Sequence, residues 1–139
     1  MIVVHHNPDC GTSRNVLGLI KAACYTPTVV EYLKTGWTRG HLLSLFAAAD
    51  LTPRSALRET KSPAKELGLL EDGVAEDHIF EAMLAHPVLV NRPIVCTPKG
   101  VKLCRPSEAV IDLLERRPSG PFYKEDGSLL IDSNGNVVG

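Results

Sequence analysis

The chain has 139 residues, of which 44% are hydrophobic and 22% charged, so it can bury one ordinary globular core. Its 15 basic and 16 acidic residues give a formal net charge of −1, which supports neither nucleic-acid wrapping nor binding to an anionic membrane surface. No apolar stretch approaches the roughly 20 residues that span a bilayer, and no secretory signal is recognised, so we expect a cytoplasmic protein.

Two strands and a helix are predicted at the start of the chain. Residues 2–4 form a β-branched stretch that is typical of a buried strand. A helical pattern follows a short loop, is capped by Thr12 or Ser13, and ends near Cys24. Residues 28–33 indicate a second strand by their β-branched content. This order favours parallel pairing of the two strands.

The middle of the chain predicts mainly helices. Thr38 is placed to cap a helix with a clear apolar pattern. Residues 51–87 have a helical but broken pattern, in which Pro53 and Pro63 stand at possible helix starts. The last helix of this stretch begins at Ala75.

The last third predicts a hairpin and a final helix. The next sheet strand starts after Pro93, because proline cannot donate a hydrogen bond to the ladder inside a strand. Residues 98–100 form a turn, and residues 101–104 form the paired strand. A final helix begins at Pro106.

The order of these elements predicts an α/β fold with a mixed sheet, written β-α-β, a helical block, then β-β-α. One domain covers residues 1–117 and includes a helical insertion at about residues 38–87. Residues 118–139 form a tail, in which residues 128–131 and 136–138 can pair as a weak hairpin. We expect no function in the tail.

A cysteine lies where the first strand gives way to the first helix. At a helix N-terminus the thiolate form is favoured, and the backbone N–H groups can hold an oxyanion, so sulfur chemistry on an anion is the first hypothesis for Cys10. The four cysteines contain no C-x-x-C pair, so we expect neither a zinc site nor a disulfide framework. The other three, Cys24, Cys96 and Cys104, are interpreted as small core residues.

Three neighbours of this cysteine allow two interpretations each. Adjacent residues of a strand face opposite ways, so one of His5 and His6 can be a surface histidine, and His6 is the one we expect to be functional. Arg14 lies on the first helical turn, where a cation opposes the helix dipole. That position indicates either a special role or an ordinary exposed arginine.

Three ordered motifs stand out around these residues, and the last of them has two parts. Residues 6–14 read HNPDCGTSR, residues 57–58 read LR, and residues 91–95 and 103–108 read NRPIV and LCRPSE. In order and spacing the set resembles the glutaredoxin-coupled arsenate reductases, the ArsC family of the thioredoxin-like superfamily. The resemblance runs from about residue 2 to residue 117 and implies a thioredoxin-like fold.

The resemblance also implies a reaction. The Cys10 thiolate attacks arsenate, glutathione adds, and glutaredoxin resolves the adduct as arsenite is released. Arsenate, glutathione as co-substrate and glutaredoxin are then the partners of a monomer that holds no tightly bound cofactor. His6 would help to keep Cys10 ionised, and the Arg92–Pro93 peptide bond would be cis. The substrate-binding residues implied are Arg58, Arg92, Arg105, Asn7, Gly11, Thr12 and Ser13.

Charge explains why such a site needs arginines. At about 4 Å and an effective dielectric constant near 20, each pair of unit negative charges on thiolate and arsenate repels by roughly 4 kcal/mol. Lowering the pKa of the thiol cannot remove this repulsion, and its gain in thiolate is largely offset by weaker nucleophilicity. Arginine binds tetrahedral oxyanions through a planar, permanently charged fork. Ser13 stands where a second cysteine would resolve the adduct, so an external thiol is required.

The same residues bear on three other functions. A phosphatase-like arsenate reductase carries C-x-x-x-x-x-R and is excluded, because Val16 stands six residues after Cys10. A non-enzymatic thioredoxin-like regulator that binds RNA polymerase would not need the three arginines. A glutathione-dependent thiol oxidoreductase acting on another substrate stays open on sequence alone.

Overall fold

The computed structural model describes residues 1–138, which divide into two compact units. The first unit joins Met1–Glu31 with the chain from Arg92 onward, and the second is Tyr32–Asn91. The predicted domain boundary at residue 117 stays a prediction.

A four-stranded mixed sheet forms the frame of the first unit. Its strands are β1 (Val3–His6), β2 (Thr28–Glu31), β3 (Ile94–Thr97) and β4 (Gly100–Leu103), in the spatial order β2-β1-β3-β4. β1 pairs with β2 in parallel, whereas β3 is antiparallel to both β1 and β4. The predicted mixed α/β sheet, with an early parallel pair and a late hairpin, is therefore confirmed.

Helix α1 (Gly11–Ala22) supplies the other face of this core. Val16, Leu19 and Ile20 are fully buried, as expected from apolar residues that recur at helical spacing. They belong to one hydrophobic cluster that also contains Val4 of β1. The cluster fixes α1 to the sheet, and with it the loop that precedes the helix.

The start of α1 differs from the prediction. Cys10 itself is the N-cap residue, in an extended conformation and without a side-chain capping bond, so the prediction that Thr12 or Ser13 caps the helix was wrong. Ser13 instead lies inside the helix with its hydroxyl beside His6.

α1 ends at Ala22, close to the end predicted near Cys24, whereas two later elements differ from the prediction. β2 stops at Glu31 instead of residue 33, because Tyr32 begins a short helix. The helix predicted after Pro106 is a 3-10 helix, Ser107–Leu113. Cys24 follows α1 with a positive φ of 68°.

The tail is better integrated than expected. Its strands β5 (Phe122–Tyr123) and β6 (Leu129–Ile131) form an antiparallel pair. The predicted pairing of residues 128–131 with 136–138 is reduced to a single bridge between Ile131 and Val137. Leu130 and Ile131 are buried in the same hydrophobic cluster as α1, so the tail shares the core of the first unit.

The second unit contains helices α2 (Tyr32–Thr35), α3 (Arg39–Ala48) and α4 (Glu76–Ala85). Thr38 caps α3 as predicted, since its hydroxyl accepts a hydrogen bond of 3.3 Å from the backbone N–H of His41.

The stretch between α3 and α4 forms turns, so the helices predicted to start at Pro53 and Pro63 were wrong. A helix over Glu76–Ala85 agrees with the start predicted at Ala75, which is its N-cap residue. Among residues 1–138, no helix combines the length and the apolar character needed to cross a bilayer.

The core of the first unit can be tested at Leu19. Because this side chain is fully buried, Leu19→Ala should lower the free energy of unfolding by about 2–5 kcal/mol, measured by urea denaturation. The control Leu43→Ala, at a side chain that is 52% exposed, should change it by less than about 0.5 kcal/mol. Equal effects at both positions would contradict the packing described here.

Candidate active site

The sheet register brings three loops to one edge of the first unit. His5, Ile94 and Leu103 lie in one row across β1, β3 and β4. β1 runs towards this edge and ends there, β3 begins there, and β4 ends there. The loop after β1, the residues before β3 and the residues after β4 therefore meet, and they carry the residues Cys10, Arg92 and Arg105.

Asn7 organises the loop after β1. Its backbone carbonyl accepts a hydrogen bond from the N–H of Cys10 (3.1 Å), and its side-chain oxygen accepts one from the N–H of Asp9 (2.9 Å). Its own backbone N–H donates to the hydroxyl of Ser13 (3.2 Å). Asn7 is only 2% exposed. These contacts turn the chain so that Cys10 becomes the residue at the N-terminus of α1.

Two arginines accompany the buried Cys10 thiol. Cys10 is 5% exposed, and Nη1 of Arg105 lies 3.6 Å from its Sγ atom. The same Nη1 donates to the backbone carbonyl of Arg92 at 3.1 Å, which ties the two arginine segments together. The predicted cis peptide bond between Arg92 and Pro93 is confirmed.

The net electrostatic effect on Cys10 favours the thiolate. Burial raises the pKa of the Cys10 thiol, but the backbone N–H of Ser13 and the charges of Arg92 and Arg105 outweigh burial. The pKa therefore lies below the ordinary value for cysteine. A buried thiolate with donors already in place is the nucleophile that sulfur chemistry on an anion requires.

The first turn of α1 adds donors for an anion. Gly11, Thr12 and Ser13 are its first three residues, and the N–H groups of a first helical turn have no partner within the helix. The ladder of α1 starts with the N–H of Arg14, which donates to the carbonyl of Cys10 at 3.0 Å. The helix N-terminus thus presents positive dipole ends at the sulfur.

His6 contacts the site through Ser13. Its Nδ1 atom lies 2.6 Å from the Ser13 hydroxyl oxygen, and His6 is 6% exposed. Burial lowers the pKa of His6, against an opposing effect of Glu31, so the ring is neutral at neutral pH. A neutral ring adds no positive charge beside Cys10. His6 therefore fixes Ser13, and the N–H of Ser13 in turn stabilises the thiolate.

The burial of three further residues can be compared with the predictions. His5 is 2% exposed, with Nδ1 at 3.1 Å from the carbonyl of Ile94, so neither of the two adjacent histidines is a surface residue. Cys24 is exposed, which contradicts its assignment to the core. Cys104 is fully buried, and burial raises the pKa of its thiol to about 12, as expected for an inert core cysteine.

Arg58 belongs to the second unit. It is 8% exposed. Its Nε donates to the backbone carbonyl of Thr60 (3.0 Å), and its backbone N–H donates to the backbone carbonyl of Leu89 (2.8 Å). The first unit by itself brings together Cys10, Arg92 and Arg105. The role of Arg58 in substrate binding stays a prediction.

Sequence reasoning missed Glu125. Its carboxylate accepts hydrogen bonds from Nε of Arg14 at 3.0 Å and 2.8 Å, and Nη1 of Arg14 donates to the carbonyl of Pro8 at 2.6 Å. The one signal was Arg14, because a cation on the first turn of a helix is unfavourable without a compensating group. That signal indicates an acidic partner without saying where in the chain it stands.

The contribution of Arg105 can be tested on the thiol alone. Arg105→Gln removes a cation 3.6 Å from Sγ, so the pKa of Cys10 should rise by about one unit. The rate of Cys10 alkylation by iodoacetamide at neutral pH, followed by mass spectrometry of its peptide, should fall by up to about tenfold. Arg39→Gln, in the second unit, is the control and should leave the rate unchanged. An unaltered profile in Arg105→Gln would remove this arginine from the site.

The link between His6 and Ser13 can be tested through stability. Ser13→Ala deprives the buried His6 Nδ1 and the N–H of Asn7 of their hydroxyl partner. The free energy of unfolding should fall by about 1–3 kcal/mol, whereas Ser44→Ala, on an exposed face of α3, should cost less than about 0.5 kcal/mol. Urea denaturation of both variants compares them, and similar losses would argue against a special role for Ser13.

Comparisons with known proteins identify the family of this chain. The sequence model of the ArsC family matches residues 5–113. An arsenate reductase of Synechocystis sp. is 70% identical over 138 residues, 99% of each chain, and one of Escherichia coli is 48% identical over 134 residues, 96% of this chain and 95% of that protein. The arsenate reductase structure from Vibrio cholerae matches with a TM-score of 0.75 at 34% identity, over 81% of this chain and 97% of that chain. The chain belongs to the ArsC family.

Proposed function

We propose that this protein is an arsenate reductase in which Cys10 is the nucleophile. The observation that carries the proposal is the buried Cys10 sulfur at the N-terminus of α1, with Nη1 of Arg105 at 3.6 Å and the charge of Arg92 acting on it. The relatives named as arsenate reductases cover nearly the whole chain, which supports the same reaction here.

The first step is attack of the Cys10 thiolate on arsenic. A sulfur–arsenic(V) bond forms, and one arsenate oxygen takes up protons and leaves as water. Thiolate and arsenate repel each other, so this step is fast only where fixed cations neutralise both. Arg92 and Arg105 supply permanent charge, and the N–H groups of Gly11, Thr12 and Ser13 supply oriented dipoles. Arg58 is proposed as the third arginine of the substrate site.

The later steps need a thiol from outside the chain. Ser13 occupies the place of a resolving cysteine, and Cys104 is inert because burial raises the pKa of its thiol to about 12. We propose that the glutathione thiol displaces a second oxygen as water. A glutaredoxin thiolate then takes the glutathione sulfur as a mixed disulfide, and the electron pair of the broken sulfur–arsenic bond reduces As(V) to As(III). Water releases arsenite and restores Cys10.

The co-substrate also suggests where the enzyme works. Glutathione is kept reduced in the cytoplasm, whereas oxidising compartments favour disulfides. A cytoplasmic detoxification enzyme that confers resistance to arsenic fits this requirement. We propose that the enzyme acts as a monomer. It needs no tightly bound cofactor, because its electrons come from glutathione.

A coupled assay tests the function directly. NADPH consumption is followed with arsenate, glutathione, glutaredoxin and glutathione reductase, and we expect turnover by the wild-type protein. Cys10→Ser should abolish it, and Arg92→Ala and Arg105→Ala should each lower kcat/KM by on the order of 10²-fold, since each removes a donor to the developing charge. Circular dichroism establishes that the variants are folded.

Cys24→Ser is the matched cysteine control, because Cys24 is exposed and stands at the far end of α1 from Cys10. It should keep full activity. The function is contradicted by a wild-type protein without arsenate turnover, or by Cys10→Ser turning over at the wild-type rate.

A further inference from the structure

Glu125 and Arg14 form an ion pair beside the loop that carries Cys10. The guanidinium of Arg14 bridges two groups, with Nε bound to both carboxylate oxygens of Glu125 and Nη1 bound to the carbonyl of Pro8. A Cβ placed on Gly11 would lie 3.8 Å from the Glu125 carboxylate and 3.9 Å from Nη2 of Arg14. The pair therefore stands beside the first residue of α1, next to Cys10.

The tail holds Glu125 in this place by contacts at both of its ends. The backbone N–H of Glu125 donates to the side-chain oxygen of Asn15 at 3.2 Å. Before it, the Phe122 ring packs so closely on Gly18 that a Cβ there would come within 2.9 Å of the ring. After it, Leu130 and Ile131 are buried in the core cluster. Glu125 is thus carried by a hairpin that is fixed to the same helix whose N-terminus it contacts.

We propose that Arg14 and Glu125 are positioning residues for Cys10, and that the hairpin β5–β6 is a working part of the active site. Pro8 is exposed and stands two residues before Cys10, so the hydrogen bond from Arg14 to the carbonyl of Pro8 restrains the solvent-facing side of the loop. Asn7 and Ser13 restrain the buried side. Together they hold the sulfur where the Ser13 N–H and Arg105 reach it.

Stability does not account for this arrangement. The side chains of Arg14 and Glu125 are 42% and 49% exposed, and ion pairs that are so exposed contribute little to folding. The pair instead restrains the loop, because the Arg14 guanidinium binds both Glu125 of the tail and the backbone carbonyl of Pro8. A loop that is freed on its solvent-facing side samples more conformations, and small displacements of a nucleophile are costly in rate.

Positioning and simple electrostatics predict opposite results for Glu125. If Arg14 acts only by its charge, Glu125→Gln leaves that charge uncompensated and stabilises the thiolate, whereas Arg14→Gln destabilises it. If the pair positions the loop, both substitutions release Pro8 and both destabilise the thiolate. The sign of the change in Glu125→Gln therefore separates the two explanations.

The experiment measures alkylation of Cys10 by iodoacetamide against pH, and arsenate turnover, in the wild type, Arg14→Gln, Glu125→Gln and the double variant. We expect the midpoint of the alkylation profile to rise by about half a pH unit in all three variants, so that the thiolate fraction at neutral pH falls by up to about threefold. We expect kcat to fall roughly tenfold in each single variant and no further in the double variant, with KM for glutathione unchanged.

Arg39→Gln and Glu81→Gln are matched controls. They remove a comparably exposed ion pair in the second unit and should change neither readout. A lowered alkylation midpoint in Glu125→Gln, unchanged profiles in both single variants, or a raised KM for glutathione at unchanged kcat would each overturn the proposal.

The turnover measurement rests on the proposed function, but the alkylation measurement does not. Loss of that function would abolish wild-type turnover, whereas failure of this inference leaves wild-type turnover intact.

Discussion

The site depends on how the Cys10 thiolate is stabilised in a buried position, because the reaction needs the charged form and burial disfavours it. Burial alone raises the pKa of Cys10, and an incoming arsenate would add further negative charge to the same place. Three groups stabilise the thiolate before the substrate binds: the Ser13 N–H and the Arg105 guanidinium as hydrogen-bond donors, and Arg92 through its charge. Donors fixed in advance stabilise charge without reorganisation during the reaction, which is the most effective form of electrostatic catalysis.

The topology of the sheet makes this arrangement possible. Cys10 and Arg105 are 95 residues apart in sequence, yet they meet because β3 is antiparallel to both of its neighbours. If β1 and β3 paired in parallel, the loop after β1 and the residues before β3 would lie at opposite edges. The backbone pairing therefore selects which loops form the site, and the side chains at the loop ends determine its chemistry.

Local signals predicted part of this structure. A β-branched run before a loop and an apolar helical stripe placed Cys10 at a helix start, and Pro93 correctly marked the start of β3. Residues 51–74 were misjudged because apolar residues between prolines give the same periodicity in turns as in helices. Glu125 could not be predicted, since its partner Arg14 stands 111 residues earlier and only the fold brings the two together. The exposure of Cys24 depends likewise on how the chain leaves α1.

The protonation states in the site explain why arginine and not histidine carries the positive charge. Burial lowers the pKa of His6, so its ring is neutral where the enzyme would work and its contact with Ser13 is structural. A cationic histidine would lose its charge within the physiological range, and the affinity for an anion would vary with small changes in pH. Guanidinium groups keep their charge throughout that range. Among the residues of this site, Cys10 is thus the one whose ionisation contributes to the pH dependence of the proposed first step.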